Sequence, residues 1–293
     1  MDFEFWRIAN HVEASFQNLE ANRNGANGFL VEDGQSHTAN LLIDPSEAGN
    51  NDAHGFRALL NTESDTSITV LDATANGNVS EGVHVTINNN TGTGRILLNR
   101  ITANGSPDDD GVDVEVHSGG DVDVDLLNIT AGNNDGVGVE IGLTAGGAQI
   151  VKRNIAQIPV EGDIDLTLDR ITAAMNGEEG IDLNLAAGGN VFITGRRNSV
   201  HDNSLDGVRV NATAFGTVDA DFGEFDLLAF ANLFNLGLNS FFNNGSLDMN
   251  NVNSGDYTVN AEGNFWGTTT PTIGEEISDG INATIPLPIN VNP

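Results

Sequence analysis

Two groups of side chains in this chain are of types that could do chemistry. Arg196, Arg197 and His201 sit close together beside Asp202 and Asp206 and form the one concentrated set of candidate bases. Asp113, Glu115, Glu140 and Asp182 are carboxylates able to hold a hard cation such as calcium, which takes oxygen ligands. A carboxylate-held cation facing an arginine that accepts a proton is the equipment of metal-assisted proton abstraction. Whether the two groups meet depends on the elements that carry them.

Other chemistries find less support. Cysteine is absent, which removes disulfides and thiolate nucleophiles. No serine, histidine and aspartate fall in a context that suggests a hydrolytic triad. His84 and His117 have no second ligand at metal spacing and are not read as ligands. Asp108-Asp109-Asp110 reads as a turn, and Gly146-Gly147 and Gly188-Gly189 as corners with no helix following to bind phosphate.

The positioning elements come from an internal repeat. A glycine followed by alternating apolar residues recurs as Gly28-Phe29, Gly55-Phe56, Gly82-Val83, Gly111-Val112, Gly136-Val137, Gly180-Ile181 and Gly207-Val208. Neighbouring copies are 27, 27, 29, 25, 44 and 27 residues apart, and the longest interval is one period plus an insertion of about 17 residues. A second segment precedes each glycine, as in Ile68-Thr69-Val70 through Ala73-Thr74-Ala75 and Val124-Asp125-Leu126 through Ile129-Thr130-Ala131. Both segments alternate apolar and polar with period two, the mark of strands buried on one face. Clusters such as Asn76-Gly77-Asn78 separate them, because these residues tolerate positive φ and turn the chain.

Each period is therefore strand, turn, strand, turn, with no helix-length segment to make a crossover. Copies must stack in parallel, which predicts an all-β fold: a right-handed single-stranded parallel β-helix of about nine or ten coils, its hand following from the usual twist of parallel strands. Val83, Val112, Val137, Ile181 and Val208 are predicted to form one inward stack, and Val85, Val114, Val139, Leu183 and Val210 the next. Outward-facing Asp113 then falls in line with Asp182 and Arg209, and Glu115 is expected to stack on Glu140, about 4.8 Å apart per coil. Phe5, Ile8, Val12, Phe16 and Leu19 fall at helical spacing, but the ungapped match of residues 14–28 with 68–82 favours a coil there. We read residues 1–293 as one domain. Coils fill 12–262, an insertion near 146–162 protrudes, a Phe-rich stretch over 215–242 covers the core, and 263–293 closes the stack.

Composition restricts the partners. The formal charge is −31, from 42 acidic and 11 Lys or Arg residues. Such a surface repels nucleic acid and anionic lipid. No run of about 18 apolar residues is present to span a membrane. Met1-Asp2-Phe3-Glu4-Phe5 has neither the basic flank nor the apolar core of a signal peptide, and reads as the middle of a repeat. The expectation is a piece of a longer exported protein, extracellular or at the cell surface, monomeric or part of that longer chain.

Near the C-terminus, Gly263-Asn264-Phe265-Trp266-Gly267-Thr268 resembles the Asn-Trp-Trp-Gly signature of right-handed β-helix repeat proteins of the pectin-lyase-like superfamily. Asn239-Ser240-Phe241-Phe242-Asn243-Asn244-Gly245, Ile277-Ser278-Asp279-Gly280 and Ile289-Asn290-Val291-Asn292-Pro293 are similar to that group's repeat and closing segment. The resemblance implies the fold but no one activity, since the superfamily includes lyases, hydrolases, epimerases, adhesins and phage tailspikes. The Asn-Thr-Asp, Gly-His-Gly and Arg-Ile-Lys elements of its polygalacturonan hydrolases and the Asp-Pro-His of its epimerases are missing. The expected role is a non-catalytic surface module, adhesin-like, stalk or glycan-binding, with polysaccharide as partner and no required cofactor. The alternative is a calcium-dependent polysaccharide lyase using Arg196, Arg197 or His201.

Overall fold

The computed structural model describes residues 2–5, 11–146, 161–223, 238–253, 257–267, 273 and 277–283. Among them every strand pairing is parallel, and no helix occurs. The first sheet has nine strands, running from Asp2–Phe5 through Phe29–Ser36, Phe56–Thr62, Val83–Asn89, Val112–Ser118, Val139–Ala145, Ile181–Ala187 and Val208–Ala214 to Met249–Asn251. The chain alternates between this sheet and a second one of fourteen strands, so each sheet grows by one coil per period. That is a parallel β-solenoid. No described helix is long and apolar enough to cross a membrane.

Alternation decides what is inside. In Val112–Ser118 the inward Val112, Val114 and Val116 are fully buried, and in Val122–Gly132 so are Val124 and Leu126. Each such side chain contributes about 1.5–3 kcal/mol on burial, delivered only when the next coil covers it. His11–Glu20 is a strand, with Ala14 and Phe16 in register with Leu41 and Ile43 and, beyond them, Ile68 and Val70, as the repeat alignment predicts over the helical spacing.

One register differs from the sequence reading. Val112 pairs with Val139 and Val114 with Ile141, so the glycine column passes through Gly138, not Gly136, and Val137 is a turn residue. A slip of two residues keeps every side chain on its face, so alternation alone cannot detect it. Close approach of the next coil decides it. A Cβ on Gly138 would lie 2.6 Å from Gly180 O and 2.5 Å from Asn176 Nδ2, and one on Gly55 would meet Gly82 O and Asn78 Nδ2 at 2.5 and 2.6 Å.

The asparagines in those contacts form a buried ladder. Asn51 Oδ1 accepts from Asn24 N and Nδ2 at 2.9 Å, and Asn78 Oδ1 accepts from Asn51 in the same way. Beyond Ser106, which occupies one rung, the series runs Asn134, Asn176, Asn203, Asn244. Each amide satisfies turn N–H groups that the strands leave over. A second ladder joins Asn198, Asn239 and Asn264, with Trp266 buried against Phe241 at 5.2 Å. The Asn-Phe-Trp-Gly element therefore has a structural role, in which its asparagine ends a ladder and its tryptophan fills the core.

Corners on the second sheet are made by single left-handed residues. Asp72, Arg100, Asn128, Arg170 and Arg197 have φ of 53°, 59°, 55°, 58° and 56°. Each bends the chain between strand pieces, as between Ile164–Asp169 and Thr172–Ala174. Most of the expected insertion (147–160), Phe225, Phe230 and Phe234, and the end of the closing segment (284–293) lie outside the described residues. The ends of the insertion are adjacent, since a Cβ on Gly162 would sit 2.9 Å from Gly146 Cα, and the stack continues across it without a break.

Candidate functional site: a charged column on the first sheet

The first outward position of each strand in the first sheet forms a column. It reads Arg57, His84, Asp113, Glu140, Asp182, Arg209 and Asn250, register partners from coil to coil. Beside it runs the turn residue that precedes each column glycine: His54, Glu81, Asp110, Glu179 and Asp206. The turn residues lean against the strand residues and half-enclose them, leaving the Asp113 and Asp182 side chains only 12% and 7% exposed. Ionisable groups shielded this far must find partners.

At the low end, His54 Nδ1 lies 2.5 Å from Glu81 Oε2, and His84 Nδ1 lies 3.1 Å from Glu81 Oε1 and 2.9 Å from Asp113 Oδ2. His84 Nε2 meets Thr86 Oγ1 at 2.9 Å. Burial alone would lower the His84 pKa, but bonding to Asp113 and Glu81 overrides it and raises the value to about 9. Burial would likewise raise Glu81, yet hydrogen bonds from His54 and His84 hold its carboxyl well below the usual range.

In the middle, Asp110 Oδ1 accepts from Val137 N at 2.6 Å, and the carboxyl is bonded to Glu140. Burial pushes both carboxyls up, and Glu140 also feels Asp113 and Asp182 on either side of it. Sharing one proton relieves two adjacent buried charges. At the upper end, Asp182 Oδ2 accepts from Arg209 Nη1 at 2.9 Å and from Asn184 Nδ2 at 3.1 Å. Its Oδ1 is buried without a hydrogen bond, and burial raises its pKa against the pull of Arg209.

The structure thus brings Asp113, Glu140 and Asp182 together, with Arg209 in line as expected. Glu115 is not stacked on Glu140. It lies one outward position further along, between Thr86 and Gly142, because the register runs through Gly138. Asp135, which precedes Gly136, stands outside the turn position of Asp110, Glu179 and Asp206 for the same reason, and Val137 holds that place.

Arg196, Arg197 and His201 belong to the second sheet and its corner, away from these carboxylates. Arg197 is held by Asp169, Nε to Oδ1 at 2.7 Å and Nη2 to Oδ2 at 2.5 Å. Arg196 Nη2 reaches Asp221 Oδ2 at 2.6 Å and its Nη1 donates to the Asp221 carbonyl at 2.9 Å. His201 Nδ1 is 2.8 Å from Asp202 Oδ2, and its ring stacks on Phe242 with centroids 4.8 Å apart.

Sequence reasoning missed His54, Glu81 and Asp110 as members of a site and set His84 aside. The usable signal was the period itself: His54 stands 27 residues before Glu81, one coil, and both precede a column glycine. Comparison with protein-family models, with curated proteins and with solved structures gives no match.

Proposed function

We propose that this chain is a non-catalytic, exported β-helix module, right-handed and related in plan to the pectin-lyase-like superfamily, that binds polysaccharide or cell-surface glycan as an adhesin-like or stalk part of a longer protein. One observation carries the reading. The rings of His201, Phe242 and Phe265 follow one another from coil to coil beyond the second-sheet corner, His201 stacked on Phe242 and Phe265 turned 72° to it with centroids 5.9 Å apart. Phe265 remains 48% exposed, so apolar ring surface stands in water beside a polar face, which suits the apolar faces and hydroxyl edges of sugar rings.

The paired state of Arg196 and Arg197 supports a non-catalytic role, since a guanidinium held by a carboxylate is a poor proton acceptor. The acidic column, with its buried unbonded Asp182 Oδ1, is what favours the second reading, a calcium-dependent lyase.

Binding to a panel of acidic and neutral polysaccharides, followed by affinity electrophoresis, tests the first reading. Phe265→Ala is expected to weaken retention at least about tenfold with an unchanged melting curve, the scale of one lost aromatic contact. Equal retention by the variant removes this reading. Ultraviolet detection of new unsaturated ends, abolished by chelator and by Arg197→Ala, would establish the lyase instead.

A further inference from the structure

We propose that His54, Glu81 and His84 form a binding site for a divalent transition metal of the zinc class. The three residues offer two imidazole nitrogens and a carboxylate oxygen whose ligand atoms all lie within 4.8 Å of one another. Among the described residues no other histidine and carboxylate group meets that criterion. The site stands independently of the glycan reading, on a different sheet from the aromatic strip.

Chain geometry explains why the donors converge. His54 and Glu81 occupy the same turn position in successive coils, each directly before a column glycine, so one lies above the other. His84 is the first outward residue of the strand that follows Glu81, and its ring is 5.3 Å from that of His54, tilted by 46°. The scaffold is a turn pinned by the asparagine ladder and a strand paired on both sides, not a loop. A site on rigid elements holds its ligands in place before the ion arrives.

Two further observations point to a cation. The side chain of His54 is 17% exposed and that of Glu81 10%, and His54 Nδ1 lies 2.5 Å from Glu81 Oε2, so two donor atoms already face each other largely out of water. An ion seated between them would take both lone pairs in place of that contact. Next to them, His84 turns Nδ1 toward Glu81 while its Nε2 meets Thr86 Oγ1 at 2.9 Å, the bond on the second ring nitrogen that orients an imidazole ligand.

The donor set selects the ion. Imidazole with a carboxylate suits zinc, nickel or copper, whereas calcium and magnesium require cages of oxygen. With three protein donors and the outer side open, the remaining coordination falls to water. The metal would bring two positive charges to a cluster that holds the carboxylates of Glu81 and Asp113. A net charge of −31 draws cations toward the surface.

The test uses the intact chain and the bare ions. Titration calorimetry with zinc chloride is expected to give one equivalent per chain. Cobalt(II) added in its place is expected to show the visible ligand-field bands of a nitrogen- and oxygen-bound ion. His54→Gln and His84→Gln should each weaken zinc binding at least about 100-fold, and Thr86→Val about 10-fold. Circular dichroism and melting curves establish that each variant folds. Should His84→Gln not fold, His54→Gln and the cobalt spectrum of the unaltered protein decide. Absence of zinc binding, binding undiminished in His54→Gln, or zinc displaced by equimolar calcium would each overturn the proposal.

Discussion

Replacing Asn176 by alanine is expected to destabilise the protein by about 2–4 kcal/mol, although the residue touches no ligand and lies in a turn. Asn176 is 1% exposed and makes bonds in both directions along the solenoid. Its Oδ1 accepts from Asn134 N and Nδ2 at 3.2 and 3.1 Å, and its Nδ2 donates to Ala131 O at 3.2 Å and Asn203 Oδ1 at 2.9 Å. Alanine strands Asn134 N and takes one bond each from Asn134 Nδ2, Ala131 O and Asn203 Oδ1, although Asn134 Nδ2 keeps Ala103 O and Asn203 Oδ1 keeps the backbone N of residue 176. A stranded buried group costs about 1–3 kcal/mol before relaxation.

The comparison that gives this meaning is Arg100→Ala. Arg100 donates to Asp72 through Nε and through Nη2 at 2.6 Å, a tidier pair on paper. Both side chains are largely in solvent, 54% and 39% exposed, so its loss is expected to shift the unfolding midpoint far less than the loss of Asn176. Urea unfolding midpoints for the two variants measure the contrast. Equal shifts would mean that the ladder is incidental.

Asp110→Asn is expected to act in the opposite direction and to depend on pH. Folding raises the Asp110 carboxyl, chiefly by burial and then by its bond to Glu140. A raised carboxyl means that the folded chain holds a proton the unfolded chain has given up. Its stability contribution is therefore present at acid pH and declines as pH rises above the ordinary carboxylate range. Glu140, raised in the same sense, adds to the slope.

Asparagine imitates the protonated acid. Its Oδ1 can still accept from Val137 N, and its amide can donate to Glu140 where the acid proton did. The variant should gain about 1–2 kcal/mol near pH 8 and little near pH 4, where the parent's Asp110 is protonated when folded and about half protonated when unfolded. Melting curves across that interval check the sign. A variant that melts lower than the parent at every pH would show that the carboxyl is ionised and satisfied in the native state.

Much of the architecture was legible because a parallel solenoid writes itself in period-two strands joined by turns at a fixed interval. The stacks through Val83, Val112, Ile181 and Val208 follow from alternation alone. The rung between Val112 and Ile181 did not, because Gly136-Val137 and Gly138-Val139 preserve the same face. Another pattern distinguishes them: a ladder asparagine stands four residues before the column glycine in Asn51 and Gly55, Asn78 and Gly82, Asn176 and Gly180, and Asn203 and Gly207. Asn134 at that spacing selects Gly138.

The candidate site was legible only in part, for a related reason. Strand parity placed Asp113, Glu140 and Asp182 outward, but the partners that set their charge state come from turns. His54, Glu81 and Asp110 look like solvated loop residues until the coils stack them against the column. The ion pairs of Arg196 and Arg197 join residues 25 and 28 positions apart, invisible in the local sequence yet close to one period.

The corrected register underlies the middle of the charged column and of the ladder, and the absence of cysteine makes it simple to test. Glu115 and Gly142 are register partners, Gly142 has open space for a side chain, and neighbouring strands put such Cα atoms about 4.8 Å apart, within disulfide range. Glu115 and Glu140 are offset by two residues, which separates their Cα atoms by roughly 8 Å, beyond that range. Oxidation of the double variant Glu115→Cys with Gly142→Cys is expected to cross-link nearly all of the chain, and that of Glu115→Cys with Glu140→Cys to leave free thiols. The reverse outcome would contradict the stacking on which the whole reading rests.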